Sequence, residues 1–253
     1  MALIIKPPAR EELPQLRQLW QASFGDTDAF LDIFFSAAFS PERCRCVVTD
    51  GAVAAALYWF SCEASGQPIA YLYAVATAKQ FRGKGLCHQL MADTHNHLKN
   101  LGYAGAILVP GDPGLREMYR AMGYRDMTAN KKFSCQAGEA VCLEEIGAEQ
   151  YAVLRRELLP ANSVVQEGEN LRFLEGIARF YRGEDCLLCA VKDGSKLTVP
   201  ELLGNAAAAP GIVAALGCED GTFTVPGEDE PFAMGIAFAP DFQQPQYFAF
   251  AFD

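Results

Sequence analysis

The sequence predicts an α/β protein in which a mixed β-sheet carries helices on its faces. Two observations predict this class. Apolar strand-like runs alternate with segments of helical spacing in the order β-α-α-β-β-β-α-β-α-β over residues 1–135. With 253 residues, of which 51% are hydrophobic and 21% charged, the chain can bury a sizeable core and is too apolar to be disordered.

The first three elements are a strand and two helices. Residues 3–5 form a short apolar run, and residues 11–24 repeat Leu and Trp at helical spacing. Gly25 ends this helix. Asp26 or Thr27 is placed to cap the next helix, whose apolar face is rich in phenylalanine.

The following elements are strands that alternate with helices. Asp50-Gly51 is a hairpin signal between two apolar runs. The predicted elements are strands at 46–48, 53–60 and 69–77, a helix at 83–101, a strand at 106–109, a helix at 114–122 and a strand near 132–135.

A partial repeat indicates a second unit of related fold. At an offset of 143 residues, residues 30–31 match residues 173–174. The same offset matches residues 46–51 with residues 189–194, so that helix, strand and turn recur at one separation. Few identities are involved, and coincidence is the alternative explanation.

The repeat divides the chain into residues 1–138 and residues 139–253. The second unit is predicted to contain helices at 149–158 and 200–209, the latter ended or bent at Pro210-Gly211, and strands at 197–199, around 223, at 232–238 and at 247–252. The alternating apolar run at 247–252 fits an internal closing strand or an exposed edge strand that forms an interface. The internal strand is favoured.

Charge is distributed unevenly between the two units. The formal charge is +2 over residues 1–138 and −12 over residues 139–253, which accounts for the total of −10. We therefore expect no nucleic-acid partner, because no extended basic surface is available to neutralise phosphates. The acidic second unit favours a cationic partner, although solubility alone would also explain the charge.

The nine cysteines and the first eight residues indicate the cellular compartment of the protein. Residues 1–8 contain too few apolar residues for an export signal or a membrane span, so we expect reduced thiols in a cytoplasmic protein that binds no membrane. The pairs Cys44/Cys46 and Cys186/Cys189 have no further pair at zinc spacing. This favours small buried side chains over a metal site.

The sharpest local feature is a glycine loop between a strand and a long helix. Gly83 and Gly85 allow the backbone to approach a ligand closely, and N–H groups at a helix start point towards an anion. Arg82 and Lys84 add positive charge. The loop lacks both the Gly-Lys-Ser/Thr ending of a magnesium-nucleotide loop and the glycine spacing of a dinucleotide fold. It predicts a pyrophosphate site.

These residues resemble the acyl-CoA loop of the GNAT (N-acetyltransferase) superfamily. The resemblance rests on Gln80-x-x-Gly83-x-Gly85 between a strand and a helix, and on Tyr119-x-x-x-Gly123-Tyr124 about 35 residues later. It implies the GNAT fold for the first unit, here predicted as the catalytic acetyl-CoA-binding domain. Residues 199–206, where a loop of this kind would fall in the second unit, have one glycine and no Arg or Lys. The resemblance therefore implies a tandem arrangement with a degenerate second GNAT-like unit.

The resemblance also implies roles for individual residues. Tyr119 would protonate the departing thiolate as general acid, with helix-to-sheet packing as the alternative role. Main-chain groups of the strand would bind the pantetheine arm, and backbone N–H groups of the loop would bind the pyrophosphate. The cofactor-binding residues implied in this way are Val75, Ala76 and Thr77 in the strand and Arg82, Gly83, Lys84, Gly85, Leu86 and Cys87 in the loop and helix start.

The sequence departs from the family pattern at two places. Asp112 stands where many members have an Asn that contacts the cofactor arm, and the strand at residues 69–73 lacks the Glu that often serves as base. Glu63, Tyr73 or a water chain is left as base. Tyr71 and Tyr73 share one strand face, so they line the substrate slot or pack on the sheet.

The function implied is acetyl-CoA-dependent transfer of an acetyl group to a primary amine of a small molecule or peptide, by direct attack in a ternary complex. No metal is expected, and an oligomer is compatible with the sequence. One alternative is a non-catalytic GNAT-like module that senses acyl-CoA or binds proteins, which the missing strand carboxylate favours. Another keeps the enzyme and changes the donor to a longer acyl-CoA.

Overall fold

The computed structural model describes residues 3–252, which form two β-sheets with helices packed on them. The elements up to residue 136 are β1 (Leu3–Lys6), α1 (Leu13–Phe24), α2 (Asp28–Ala37), β2 (Cys44–Thr49), β3 (Ala52–Ala64), β4 (Gln67–Thr77), α3 (Leu86–Asn100), β5 (Gly105–Leu108), α4 (Pro113–Ala121), β6 (Arg125–Asp126) and β7 (Ala129–Gln136). This order confirms the elements predicted for the first 135 residues.

The elements that follow repeat the same kind of order. They are β8 (Glu144–Ile146), α5 (Ala148–Leu158), β9 (Val164–Val165), α6 (Glu169–Ile177), β10 (Arg179–Arg182), β11 (Cys186–Asp193), β12 (Lys196–Gly204), α7 (Ala209–Ala215), β13 (Asp220–Pro226), β14 (Glu230–Pro231) and β15 (Met234–Ala237). Short 3₁₀ helices cover Arg10–Glu12, Pro41–Arg43, Lys79–Phe81 and Ala206–Ala208.

The two sheets have matching strand orders and exchange one strand each. The first sheet runs β1-β2-β3-β4-β5-β15-β6, with β9 paired to β3, and the second runs β14-β7-β13-β12-β11-β10-β8. Thus β15 inserts between β5 and β6, while β7 inserts between β13 and β14. The strand predicted near residues 132–135 therefore exists but lies in the second sheet. The division of the chain after residue 138 stays a prediction.

The two helices after β1 show how local sequence sets the element boundaries. The chain leaves α1 at Gly25, whose N–H donates to the Gln21 carbonyl at 2.9 Å. The hydroxyl of Thr27 then accepts the Phe30 N–H at 3.3 Å, which makes Thr27 the N-cap of α2. Of the two capping residues that the sequence allowed, the structure uses Thr27 and leaves the Asp26 carboxylate available for other contacts.

Two predicted elements of the second half are wrong. Residues 200–204 continue strand β12, and a helix begins only at Ala209, with Pro210 in its first turn. A proline suits that position because its ring fixes φ at a helical value and the missing N–H would have no partner there. Pro200 lies at a shift in the register between β11 and β12, where a strand tolerates the loss of a donor.

The closing strand predicted at residues 247–252 is also absent. Among the described residues, Tyr247 makes an isolated bridge to Ser163, and the rest of the run joins neither sheet. Its Phe side chains are nevertheless buried, so it is an internal segment, as favoured, without strand pairing.

The repeat detected in the sequence holds for the helices and fails for the strands. Helices α2 and α6 occupy matching places before their sheets, and the matched residues Phe30 and Phe173 pack against each other with ring centroids 5.5 Å apart. By contrast, residues 46–51 lie at the β2–β3 turn, whereas residues 189–194 lie at the β11–β12 turn, one hairpin later in the matching order.

The largest hydrophobic cluster joins the two sheets into one core. It contains Trp20 and Phe34 from the first two helices, Phe173 from α6, and Phe250 and Phe252 from the buried segment. Burial of these side chains is the main favourable term in holding the two sheets together. Within residues 3–252, none of the helices has the length and apolar character needed to cross a membrane.

Candidate active site

Strands β4 and β5 are parallel neighbours that separate part-way along their length. They pair from Ile69 opposite Gly105 to Tyr71 opposite Ile107, and β4 then continues to Thr77 without a described strand on that side. The separation coincides with a bulge between β3 and β4, where Ala74 has a left-handed φ of +48°. A bulge increases local twist and directs a strand away from its neighbour. The main chain of residues 72–76 is thereby left open to an added extended ligand.

The glycine loop leaves its backbone donors unused. Gly83 and Gly85 have φ values of +73° and +74°, and α3 begins at Leu86 without a capping side chain. A Cβ built on Gly83 would meet nothing within 4 Å, so conformation is what favours glycine there. Within the described chain, no acceptor contacts the N–H groups from Gly83 to the first turn of α3. The loop, which we call the cradle, thus has the open donors that an anion site needs, and its binding of an anion stays a prediction.

The basic side chains of the loop contact neighbouring residues and stabilise its conformation. Arg82 donates from Nε to the Thr77 carbonyl at 3.0 Å, and the Lys84 ammonium lies 5.2 Å from the centre of the Phe81 ring. The Thr77 carbonyl, predicted to contact the pantetheine arm, is thus already bonded to Arg82. The positive charge stays beside the cradle, where it favours an anion.

A cavity of about 470 Å³ opens where β4 and β5 separate. Aromatic side chains from the α1–α2 region, Trp20, Phe24 and Phe30, form one wall, and residues from β4, β5 and α4 form the others. The structure places Val75 and Tyr119 on this cavity, together with Tyr71 and Tyr73. Its lining joins the open strand edge to the predicted catalytic tyrosine.

Tyr119 is a buried tyrosine that faces the cavity. Its side chain belongs to α4, whose first turn is capped by Asp112 through an Oδ1 contact to the Leu115 N–H at 2.9 Å. Asp112, which departs from the family pattern, therefore has a structural role here. No hydrogen bond to the Tyr119 hydroxyl forms within residues 3–252. Burial raises the pKa of Tyr119, so the phenol keeps its proton at neutral pH.

Asp26 is a site residue that the sequence reasoning treated only as a helix cap. The Trp20 indole donates to Asp26 Oδ2 at 2.7 Å, and Asp26 is the one carboxylate among the described residues that line the cavity. Because Trp20 holds one oxygen, the carboxylate is oriented while its other oxygen accepts no described hydrogen bond. A carboxylate between Phe24 and Phe30, in a short link between two helices, was the sequence signal that could have identified it.

Tyr71 and Tyr73 both line the cavity and pack in the core. The Tyr71 hydroxyl donates to the Ala251 carbonyl, and the Tyr73 hydroxyl donates to the Phe252 carbonyl at 2.9 Å. Packing on the sheet is thus observed for both residues, and their role in a substrate slot stays a prediction.

The other candidate residues either lie away from the cavity or are poorly suited to act as a base or a nucleophile. Glu63 lies near the far end of β3, opposite Pro68, and does not line the cavity. Burial raises the pKa of Cys87, which makes it a poor nucleophile. His95 shares a 2.7 Å hydrogen bond with the Tyr124 hydroxyl, and burial lowers its pKa to about 4. No cluster of His, Cys, Asp and Glu suited to a metal is found within residues 3–252.

Residues 5–127 match the family model described as an acetyltransferase (GNAT) domain. This part of the chain is a GNAT acetyltransferase domain. The match includes the divergent strands, the cradle and Tyr119.

Solved structures extend the likeness to the whole chain. A GCN5-related N-acetyltransferase from Kribbella flavida has a TM-score of 0.73 at 19% identity, over 93% of this chain and 71% of that one. Eis1 from Mycobacterium abscessus has a TM-score of 0.66 at 13% identity, over 91% and 67% of the two chains. A tandem GNAT protein from the clavulanic acid biosynthesis pathway has a TM-score of 0.59 at 14% identity, over 95% and 100%. These likenesses confirm the predicted fold of two GNAT-like units. No curated protein sequence matches the chain.

Proposed function

We propose that the protein is an acetyl-CoA-dependent N-acetyltransferase that acetylates a primary amine of a small molecule or peptide. The observation that carries this proposal is the continuity between the cradle of open N–H groups, the unpaired edge of β4 and the cavity that contains Tyr119. Along the site, the cradle is followed by the edge of β4 and then by Tyr119. This order matches the pyrophosphate, the pantetheine arm and the thioester of acetyl-CoA. Transfer of a longer acyl group would need a deeper cavity at the same place.

Each part of the site has one task in this proposal. The N–H groups of Gly83 to Cys87 bind the pyrophosphate, and Val75 and Ala76 bond the pantetheine arm through their main chains. The acceptor nitrogen attacks the thioester carbon, a C–N bond forms, and the C–S bond breaks. The ammonium proton of the acceptor passes to solvent or to a base in the cavity before the attack. Tyr119 gives its proton to the departing sulfur and is reprotonated by the second proton, which the nitrogen releases as it becomes an amide.

The acceptor that this cavity suits is a cationic amine. Asp26 is held by Trp20 with one carboxylate oxygen left to contact an ammonium group, and Trp20, Phe24 and Phe30 provide ring surfaces for it. The net charge of −12 over residues 139–253 would attract the same class of acceptor. We propose no nucleic-acid or membrane partner. All nine cysteines are unpaired, which supports a cytoplasmic location.

Calorimetric titration with acetyl-CoA and with free CoA tests this proposal. Gly83→Glu places a strained, negatively charged residue in the cradle, and we expect it to weaken binding by at least about 100-fold. Gly194→Glu is the matched control, because Gly194 also has a left-handed φ, of +58°, and open space around it, in the turn after β11. The control should bind as the wild type does.

The outcomes separate the functions under consideration. Saturable binding that is lost only in Gly83→Glu, followed by release of free thiol with some member of an amine panel, supports the acetyltransferase. Binding without turnover on any amine would favour the acyl-CoA-sensing module. No binding by the wild type at millimolar ligand would overturn both.

A further inference from the structure

A buried segment of the chain, residues 247–252, which we call the strap, runs between the two sheets without strand pairing. Buried amide side chains hold it instead. Gln166 donates to the Phe250 carbonyl at 2.9 Å and accepts the Phe250 N–H at 3.1 Å, and Asn130 donates to the Phe248 carbonyl at 3.0 Å. Gln166 and Asn130 are both almost fully buried. A segment fixed by specific side chains has one defined position, which a loosely packed apolar tail would lack.

The start of the strap contacts a buried ionic cluster beside the second sheet. Arg155 on α5 donates to both carboxylate oxygens of Glu201 on β12, at 2.7 and 2.9 Å. Tyr151 donates to Glu201 at 2.6 Å, and Tyr247 of the strap donates to it at 3.2 Å. The Arg155 guanidinium also lies 4.9 Å from the centre of the Phe250 ring. Buried ion pairs add little net stability compared with apolar residues, so the contacts of this pair with the strap are its distinguishing feature.

The end of the strap reaches the candidate active site. Its carbonyls at Ala251 and Phe252 accept hydrogen bonds from Tyr71 and Tyr73, and the Phe252 side chain lines the same cavity as Tyr119. Phe252 also packs on Phe60 of β3, with ring centroids 4.7 Å apart. The strap therefore connects a cluster on the second sheet to the cavity of the first.

We propose that Glu201, Arg155 and Gln166 are positioning residues that hold the strap in the cavity, so that residues from the second half of the chain shape the acceptor end of a site whose cofactor end belongs to β4 and the start of α3. This assigns the second GNAT-like unit a role in acceptor binding. The kinetic consequence rests on the proposed acetyltransferase function, whereas the position of the strap does not.

Two conservative variants that remove a hydroxyl from the same carboxylate test the proposal. Tyr247→Phe breaks the link between Glu201 and the strap, and Tyr151→Phe breaks an equivalent hydrogen bond from α5. A third variant, Gln166→Met, removes both hydrogen bonds to Phe250. For each full-length protein, hydrogen–deuterium exchange of the peptide over residues 246–252, the KM for the acceptor and the Kd for acetyl-CoA are measured.

We expect Tyr247→Phe and Gln166→Met to speed exchange of the strap about tenfold and to raise the acceptor KM about fivefold, with the acetyl-CoA Kd unchanged. Tyr151→Phe should change neither quantity. Equal strap exchange in all four proteins would overturn the proposal, as would a KM increase in Tyr151→Phe as large as that in Tyr247→Phe. A wild type that transfers no acetyl group would instead contradict the proposed function, and exchange alone would then decide the role of the positioning residues.

Discussion

The two sheets can be compared at the point where a parallel strand leads into a helix. In the first sheet β4 leads to α3 through Gly83 and Gly85, and no side chain caps the helix. In the second sheet β12 leads to α7 through Asn205, whose Oδ1 accepts the Ala207 N–H at 3.0 Å, and Pro210 brings no N–H to the first turn. The same topology thus gives an anion cradle in one sheet and a closed, self-satisfied turn in the other.

An anion site at a helix start depends on backbone N–H groups that have no acceptor within the protein. Helix α3 has 15 residues and open donors, whereas α7 has 7 residues and starts with its donors used or missing. The second sheet carries a buried ion pair in place of a cradle. In our proposal, the first sheet therefore binds the cofactor and performs the transfer, and the second sheet supports it.

The largest expected effect is on the rate of acetyl transfer at the site of the first sheet. Tyr119→Phe removes the proton donor and leaves the ring, so kcat should fall by about 10²- to 10⁴-fold. The Kd for acetyl-CoA should stay unchanged, because the cradle is untouched. Thiol release with an acceptor found in the amine panel measures the rate. A fall below tenfold would assign Tyr119 a packing role.

The next largest effect is on stability in the second sheet. Arg155→Met leaves Glu201 as an uncompensated buried charge, which we expect to lower the free energy of unfolding by about 3 to 5 kcal/mol. Arg156→Met, one residue further along α5, removes a half-exposed partner of Glu167 and should cost about 0 to 1 kcal/mol. Urea unfolding measures both. Equal losses would show that the Arg155 site is hydrated.

A smaller, pH-dependent effect is expected in α3 of the first sheet. Burial, aided by Lys99 and His88, lowers the pKa of His95 to about 4, below the value near 6.5 of an unfolded histidine. The unfolded chain therefore binds more protons between these values, and the stability contributed by neutral His95 is complete above pH 6.5 and lost as the pH falls towards 4.

The matched variant for this effect is His95→Gln, which keeps a partner for the Tyr124 hydroxyl and does not titrate. Between pH 7.5 and pH 5, wild-type stability should fall by about 2 kcal/mol more than that of the variant. Urea unfolding at the two pH values measures the difference. Parallel losses in the two proteins would show that His95 titrates normally.

The smallest effect concerns the closed turn of the second sheet. Asn205→Ala removes the side chain that caps Ala207 and should cost about 1 kcal/mol in urea unfolding. We expect calorimetry to give one acetyl-CoA per chain for the wild type and the variant alike, because Pro210 still leaves the turn short of donors. A second binding event in the variant would show that the cap alone closes that site.

The conformation of the glycine loop and the order of elements could be predicted because their causes are local. Glycines at two left-handed positions and the periodicity of apolar residues are visible in a short window of sequence. Asp26 could not be assigned to the cavity, because its role depends on the separation of β4 and β5, which no local pattern encodes. The helix predicted at residues 200–209 was wrong because residues 201–203 of β12 are all buried and so lack the alternation that marks strands, while Pro200 also fits the start of a helix.

The run at residues 247–252 was predicted as a strand because its apolar residues alternate. Its partners, Gln166 and Asn130, are far away in sequence and pair with it through side chains, which periodicity does not report. The exchange of β7 and β15 escaped prediction for a related reason: strand order is set by contacts between distant segments.

The exchange of β7 and β15 affects how the chain folds during synthesis. The place between β5 and β6 is filled by β15, at residues 234–237, so the first sheet stays incomplete until these residues have left the ribosome. Until then β5 presents an unpaired backbone edge, which invites pairing with other nascent chains. The first sheet is thus completed by a strand that is made long after β5 and β6, and a chain that stops before residue 234 retains the cradle sequence without the complete sheet.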